Sequence, residues 1–329
     1  MNEFRENPSV LVGCMVGKWK WDVCGGDIIV FTNNVHGCVS RELENDVVNI
    51  YYHSIDELER RENYELKIAL LNSKLLNDPN LSLASLKEEL SRRQGEVFFQ
   101  AFREKILVLL RDLTYAEEAL NFGANASAAF WITVLGYNSI VALNLLNKVQ
   151  TSPSHLIQQV RENRIFKGTN YFVSIAGFLG FEYANSTSYK RIFSTLPILG
   201  KMIELHLSEE PFQASGSLAK MLLISPKVKE LNRKCAFAAE QYMPLNAHTI
   251  STKWFVDSVV GLYETICLTE KTPPFKPKMI EELEKRRKNL YQDTSSILNS
   301  ILQEVNTSSL GKRIMEAREL LSWLQKIKV

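Results

Sequence analysis

The sequence predicts an α+β protein in which a small N-terminal α/β domain precedes a large all-α helical region. Before residue 53, short apolar runs rich in Val, Ile and Tyr alternate with glycines and turn residues, which is typical of β-strands. After residue 54, apolar residues recur at helical spacing almost to the C-terminus. We therefore expect a head over residues 1–58, a helical domain over 59–165 that packs on the head, and a C-terminal helical domain over 166–329.

Three apolar runs in the head predict strands, and these are Val10–Val12, Ile28–Thr32 and Val47–Tyr52. Between them, Asn33–Gly37 is typical of a turn, and Arg41–Asn45 fits either a small helix or a hairpin connection. A sheet of this size cannot bury both of its faces by itself. We therefore expect it to pack on the first helices of the body.

A helix-start signal follows the third strand. Ser54 and Glu57 form a capping box, in which the Ser hydroxyl bonds the amide three residues on and the Glu carboxylate reaches back to the Ser amide. We expect a helix from this point to about Asn77, where Asp78-Pro79 ends it.

The remaining chain predicts further helices from its apolar periodicity and from signals such as the Ser152-Pro153 N-cap. The helix that begins at Ala126 starts with small residues and is strongly apolar, which is typical of a core helix. Thr272–Pro277 is the clearest linker. The predicted helices are Leu83–Leu120 with a break near Gly95, Ala126–Val149, Pro153–Asn163, Asn170–Tyr183, Ser188–His206, Ser217–Leu223, Pro226–Gln241, Ala247–Leu268, Pro277–Glu304 and Ser308–Lys326.

The composition is that of an ordinary soluble globular protein. Of the 329 residues, 45% are hydrophobic and 23% are charged, and the formal net charge is +2. A net charge this close to zero does not by itself predict a nucleic-acid or membrane partner. We expect a cytoplasmic protein, because no secretory signal and no run of about 18 apolar residues occurs, and because five cysteines, an odd number, favour a reducing compartment.

One candidate metal site in the head is a zinc site. Cys14, Cys24 and Cys38 lie near His36 and His53 in the sequence. Their C-x9-C and H-x-C spacings match no short zinc-knuckle pattern, so structural or incidental cysteines are the favoured interpretation.

One stretch of the head, VLVGCMVGKWKWDVCGGDIIVF (residues 10–31), contains the residue types of a phosphate-transfer site. An apolar run ends in Gly13-Cys14, a glycine-containing loop follows, and a second apolar run begins with Gly26-Asp27. Nucleotidyl transfer requires positioning and charge neutralisation, with loop amides on the triphosphate and carboxylates on two metal ions. Two carboxylates at i and i+2 of one strand lie on the same face.

In these residues the head resembles the DNA polymerase β-type nucleotidyltransferase superfamily, particularly its minimal and aminoglycoside-type members. The family pattern is an apolar strand, Gly-Ser, a spacer with a further Gly, and Ser/Gly-Asp-x-Asp-apolar on the next strand. Val47–Tyr52 lies where the strand of the third carboxylate is expected. The resemblance covers about residues 8–58 and implies a nucleotidyltransferase-like α/β head.

The resemblance also implies binding residues, and the chain departs from the family at several of them. Cys14 replaces the family serine, Ile29 stands in the place of the second metal carboxylate, and Asn49 stands in that of the third. Isoleucine cannot bind magnesium, and asparagine offers one neutral oxygen. We therefore expect a degenerate site, and no residue is assigned a catalytic role. The implied cofactor-binding residues are Gly13, Cys14, Gly17 and Lys18, and the implied metal ligand is Asp27.

Three functions are consistent with this interpretation. The first is a divergent nucleotidyltransferase-fold protein with weakened or lost catalysis and a nucleotide-binding or scaffold role. The second is an active enzyme that uses Mg and an NTP to move an NMP group to a small molecule, a protein or an RNA end. The third is a non-enzymatic helical interaction protein. The expected partners are a nucleotide and, through the helical body, a protein; no membrane partner is expected.

A charged segment near the C-terminus is the remaining candidate interaction site. In Glu281–Lys288 the spacing of acidic and basic residues gives favourable i,i+4 pairs, namely Glu281 with Lys285 and Glu284 with Lys288. This pattern predicts a solvated helix face. A nucleic-acid contact through Lys285–Lys288 is the alternative.

Overall fold

The structure of the protein is a computed structural model. It describes residues 7–13, 26–32, 37–43, 46–59, 63–149, 171–181, 244–286 and 307–327, together with 156, 159, 187, 189–192 and 194–199. Within these ranges the protein is mostly helical and has one small mixed sheet near the N-terminus, which confirms the α+β prediction at this level.

Five strands form the sheet, in the order β3-β4-β2-β1-β5. The pairs β3–β4, β2–β1 and β1–β5 are antiparallel, whereas β2 and β4 run parallel at the centre. The three predicted strands are confirmed as β1, β2 and β4. The strand bounds are β1 Ser9–Gly13, β2 Gly26–Phe31, β3 Gly37–Leu43, β4 Asp46–His53 and β5 Lys74–Asn77.

Both alternatives predicted at Arg41–Asn45, a small helix and a hairpin connection, are wrong for residues 41–43, which belong to strand β3, and residues 44–45 lie outside the described residues. The residues of β3 up to Leu43 pair with β4, from Gly37 opposite Tyr52 to Leu43 opposite Asp46. The predicted turn at Asn33–Gly37 lies, except for Gly37, outside the described residues.

The single helix predicted from Ser54 to Asn77 is wrong in two places, because a new helix begins after Asn63 and helical structure ends at Leu71. The chain instead forms two short helices, α1 (Asp56–Glu59) and α2 (Tyr64–Leu71), and then the edge strand β5. Asn72 ends α2, because its backbone amide and its side-chain amide both donate to the Ile68 carbonyl, at 3.2 and 2.9 Å. Pairing with the open edge of β1 then stabilises an extended chain, which local periodicity cannot show.

The capping box at the start of α1 is present. The Ser54 backbone amide donates to Glu57 Oε1 at 3.1 Å, as predicted. The Ser54 hydroxyl accepts from the amide of Asp56, two residues on rather than three, at 3.2 Å. The helix therefore begins where the sequence indicates.

Seven further helices, α3 to α9, form most of the described body. The predicted break near Gly95 is confirmed, since Arg93 separates α3 from α4. The predicted helices Ser217–Leu223 and Pro226–Gln241 lie outside the described residues, as does most of Pro153–Asn163. The helix bounds are α3 Ser82–Arg92, α4 Gln94–Asn121, α5 Asn125–Leu146, α6 Tyr171–Phe178, α7 Pro244–Thr269, α8 Met279–Arg286 and α9 Thr307–Lys326, and a 3₁₀ turn spans Lys276–Lys278.

Helix α5 is the central helix of the core, as predicted. Eighteen of its 22 residues are buried, and it contacts α4, α6, α7, α8 and α9. Among the described residues it is also the one helix long and apolar enough to cross a membrane, but 89% of its most apolar window is buried inside the protein. One continuous buried cluster runs from Val10 in β1 to Leu324 in α9.

The predicted linker Thr272–Pro277 is held firmly against the body. The Phe275 amide donates to the Tyr263 hydroxyl at 2.8 Å, and the Trp131 indole N–H donates to the Lys276 carbonyl at 2.9 Å. These bonds join the segment to α7 and α5. The composition of the segment predicts the turn correctly but does not reveal that the turn is docked.

Candidate functional site

The predicted phosphate-binding residues begin at the end of strand β1. Gly13 is the last residue of β1 and pairs with Gly26, the first residue of β2. Cys14, Gly17 and Lys18 belong to the connection between these strands and lie outside the described residues. Of the four predicted phosphate-binding residues, the structure therefore places Gly13.

The three metal-ligand positions of the nucleotidyltransferase pattern meet on two neighbouring strands. Asp27 pairs with Asn49 in the parallel β2–β4 ladder, and two residues further on Ile29 pairs with Tyr51. Paired residues lie on the same face of a sheet, as do residues two apart on a strand. Positions 27, 29 and 49 therefore share one face.

At Ile29 this face is closed by packing. The Ile29 side chain is 5% exposed and belongs to the main buried cluster together with Leu58 of α1 and Leu66 of α2. Tyr51, its partner on β4, packs against the same cluster. The position that matches the second carboxylate of the family pattern is thus occupied by an isoleucine in the core.

These residues do not fit a two-magnesium site. Magnesium requires hard, usually anionic oxygen ligands, and the three positions supply one carboxylate, one amide and one buried alkyl group. A single magnesium ion carried by a nucleotide needs fewer protein ligands, because it takes one or two carboxylates and completes its shell with phosphates and water. In the nucleotidyltransferase pattern, Asp27 is the residue that would hold it.

The zinc alternative gains no support from the described part of the chain. No group of three His, Cys, Asp or Glu side chains lies close enough there to hold a metal ion. Cys14, Cys24 and His36 lie outside the described residues.

A second candidate site lies in the helical body, where the sequence analysis proposed none. It is a cleft of about 430 Å³ between α2, α4, α5 and α7. Part of the lining is aliphatic, and the residues that form it are Ile68, Val134, Val141, Leu145 and Val256. The rest of the lining is polar and carries two lysines and two carboxylates. Concave sites that combine apolar walls with a few convergent polar groups are the usual form of ligand pockets.

An ion pair on α7 forms part of the polar lining. Lys253 and Asp257 lie one helical turn apart and are hydrogen-bonded through Nζ and Oδ2, with side chains 28% and 26% exposed. The Lys253 ammonium also lies 5.8 Å from the ring centre of Tyr137. Burial is the largest single influence and lowers the pKa of Lys253, but Asp257 together with Tyr137 and Glu65 more than offsets it, so the pKa of Lys253 is raised above its ordinary value.

Tyr137 lies in the lining beside this pair. Its side chain is partly buried, and desolvation raises the pKa of Tyr137 to about 12, although the Lys253 ammonium opposes the shift. At neutral pH the phenol is therefore un-ionised and able to donate a hydrogen bond.

A looser ion pair forms the outer part of the lining. Lys105 Nζ of α4 lies 3.6 Å from Glu65 Oε1 of α2, and the two side chains are 16% and 84% exposed. At this distance and with one partner in solvent, the pair contributes little to stability. The Lys105 side chain is thus largely inside the protein, and its ammonium makes only this loose pair with the solvent-exposed Glu65.

Asn138 connects the cleft to a buried carboxylate behind it. Its Nδ2 donates to Asp112 Oδ2 at 2.7 Å, and Asp112 is also bonded by the Arg111 guanidinium at 2.9 Å. Burial raises the pKa of Asp112, although the bonds from Arg111 and Asn138 oppose this shift. The bond from Asn138 fixes one side of the cleft.

Sequence reasoning missed this site because its residues come from four helices. The one local signal is the Lys253-x3-Asp257 spacing, which predicts an i,i+4 pair without showing what the pair faces.

No model of a known protein family, no curated protein and no solved structure matches this chain. The resemblance to nucleotidyltransferases therefore rests on the residues of the head alone.

Proposed function

We propose that this chain is a divergent nucleotidyltransferase-fold protein that binds a nucleotide at its head but has lost two-metal catalysis. The observation that carries the proposal is the register of β2 and β4. Asp27 lies opposite Asn49, and Ile29, two residues from Asp27, is buried in the core. One carboxylate therefore remains where the two-metal reaction needs at least two.

The binding part of the proposal depends on the β1–β2 hairpin. Gly13 and Gly26 face each other where its connecting loop begins and ends, and the loop itself carries Gly17, Lys18 and Gly25. Glycines allow the backbone to come close to a phosphate, and backbone amides together with a lysine then neutralise its charge. These features need no metal, so nucleotide affinity can persist after catalysis is lost.

Calorimetric titration with ATP, GTP, CTP and UTP, with and without magnesium, tests this function. We expect one or more nucleotides to bind with Kd on the order of 10 to 100 μM, and magnesium to tighten that binding by about tenfold or less. Asp27→Ala should abolish the magnesium effect and leave magnesium-free binding intact. Glu42→Ala, which removes a carboxylate two strands away on β3, is the matched control.

A transfer assay with α-phosphate-labelled nucleotide completes the test. We expect no labelled product on the protein itself, on RNA ends or on small acceptors. A labelled product that disappears in Asp27→Ala would show an active transferase and overturn the loss of catalysis. The absence of binding by all four nucleotides would overturn the binding role and leave a helical interaction protein.

A further inference from the structure

We infer that the cleft between α2, α4, α5 and α7 binds a small zwitterion that carries a carboxylate, an ammonium group and an aliphatic side chain, as an apolar α-amino acid does. This inference goes beyond the proposed nucleotide site and does not depend on it, because the two sites use different residues.

The charge balance of the cleft selects against phosphate ligands. Its two lysines, Lys105 and Lys253, are matched by two carboxylates, Asp257 and Glu65. A polyphosphate placed here would approach both carboxylates, and like charges at close range are strongly unfavourable in a partly buried site. A ligand with one positive and one negative group meets an opposite charge for each.

The hydrogen bonds that Lys105 and Asp257 can still form indicate how a zwitterion would be oriented. Lys105 is largely buried, and its charged partner Glu65 lies 3.6 Å away in solvent. Its ammonium can therefore donate hydrogen bonds to a ligand carboxylate at shorter distance. Asp257 holds Lys253 through Oδ2, and a carboxylate with two oxygens can accept a further ammonium hydrogen bond.

An unpaired buried hydroxyl supports a polar ligand. Thr252 lines the cleft and is 1% exposed. Its Oγ1 is buried and has no hydrogen-bond partner among the described residues. A buried polar group without a partner lowers stability, and native structures contain few of them. In the observed conformation this oxygen is not accessible from the cleft, so a ligand carboxylate or ammonium would supply the missing partner only after the Thr252 side chain turns toward the cleft.

The aliphatic part of the lining sets the third group of the ligand. It consists of branched side chains, among them Val134, Val141 and Val256. A volume of about 430 Å³ is near the lower end of the range for ligand sites. An aliphatic side chain of the size of leucine matches both the chemistry of these residues and the volume of the cleft.

Calorimetric titration of the full chain with L-leucine and three truncated compounds tests the inference. Isoamylamine lacks the carboxylate, 4-methylpentanoate lacks the ammonium, and glycine lacks the aliphatic group. We expect leucine to bind with Kd in the micromolar to low millimolar range, and each truncated compound at least about tenfold more weakly. No binding of leucine at about 10 mM, or equal binding of a truncated compound, would overturn the inference.

Two variants separate a ligand role from a structural one. Thr252→Val replaces the unpaired hydroxyl with a methyl group, so we expect a melting temperature higher by about 2 °C or more, and leucine binding weaker by about fivefold. Lys105→Met should weaken binding by about tenfold with little change in melting temperature. Lys312→Met, on the exposed surface of α9, is the matched control. Unchanged affinity in both cleft variants would contradict the inference.

A titration with AMP distinguishes the two proposed sites. We expect AMP not to compete with leucine, because the phosphate is disfavoured in the cleft. Competition that is lost in Lys105→Met would assign the cleft to nucleotides and overturn the zwitterion inference. The proposed nucleotide site at the head is tested separately by Asp27→Ala.

Discussion

Glu281 of α8 caps the N-terminus of α5 through Ser127, 154 residues earlier in the chain. The Ser127 amide donates to Glu281 Oε1 at 3.2 Å, and the Ser127 hydroxyl donates to the other carboxylate oxygen. The Ser127 hydroxyl in turn accepts from the Ile280 amide at 2.9 Å, and the Ala126 amide also donates to Glu281 Oε1 at 3.1 Å. The sequence predicts a solvated Glu281 paired with Lys285, and for this residue the prediction is wrong.

The cap makes Glu281 a stability determinant. We expect Glu281→Ala to lower the free energy of unfolding by about 2 kcal/mol, because it leaves amides at a helix N-terminus without an acceptor. Glu281→Gln keeps an acceptor oxygen but loses the charge, so about 1 kcal/mol is expected. Urea unfolding measures both values. Glu284→Ala on the same helix is the control, and an equal loss there would contradict the capping role.

The close contact between α5 and α6 predicts that Gly136 cannot be enlarged. A Cβ at this position would lie 2.8 Å from Phe178 Cβ and 3.1 Å from Leu179 Cγ. We expect Gly136→Ala to destabilise the protein by about 1 to 3 kcal/mol through overpacking.

The matched control for this prediction is Gly311→Ala in α9, where an added Cβ meets nothing within 4 Å. Here the better helix propensity of alanine should stabilise the protein by about 0.5 to 1 kcal/mol. Chemical unfolding midpoints compare the two variants. Stabilisation in both variants would show that helix propensity and not packing decides the effect.

His248 predicts a pH dependence of stability. It is 3% exposed, and its Nε2 donates to the Leu179 carbonyl at 2.9 Å, whereas Nδ1 is buried without a partner among the described residues. Burial lowers the pKa of His248, although the bond to Leu179 opposes the shift. As the pH falls through about 6.5, the unfolded chain binds a proton that the folded protein does not, so stability decreases.

The size of this effect follows from the linkage relation. Between about pH 7.5 and about pH 5.5, this one group should remove up to about 1.4 kcal/mol from the free energy of unfolding. His248→Gln cannot take up the proton, so its stability should fall by that much less over the same interval. Urea unfolding at both pH values gives the comparison. Parallel pH profiles for the variant and the wild type would refute the assignment.

Tyr263 predicts how firmly the docked segment 272–277 is held. Its hydroxyl donates to Glu282 Oε2 and accepts from the Phe275 amide. We expect Tyr263→Phe to lower the free energy of unfolding by about 1 to 3 kcal/mol and to speed trypsin cleavage after Lys271, because the segment loses its anchor to α7. Tyr115→Phe in the same core is the control. Unchanged cleavage in Tyr263→Phe would show that other contacts hold the segment.

Local patterns in the sequence determined most of the secondary structure. The apolar runs at β1, β2 and β4, the capping box at Ser54 and the break between α3 and α4 were all predicted. Strand alternation, helix capping and helical periodicity act between residues a few positions apart, so they are readable without the fold. The sequence alone also shows that only Asp27 is a carboxylate among Asp27, Ile29 and Asn49, the three residues that match the metal-ligand positions of the nucleotidyltransferase pattern.

Only the tertiary structure decided which distant residues meet. It converted 74–77 into a strand on the edge of β1, placed Asp27 opposite Asn49, and buried Ile29 in the core. It also turned Glu281 inward onto α5 and assembled the cleft around Lys253 from four helices. The physical reason is that these contacts depend on burial and hydrogen-bond partners supplied by remote segments. Their free energy is not encoded in any local window of the chain.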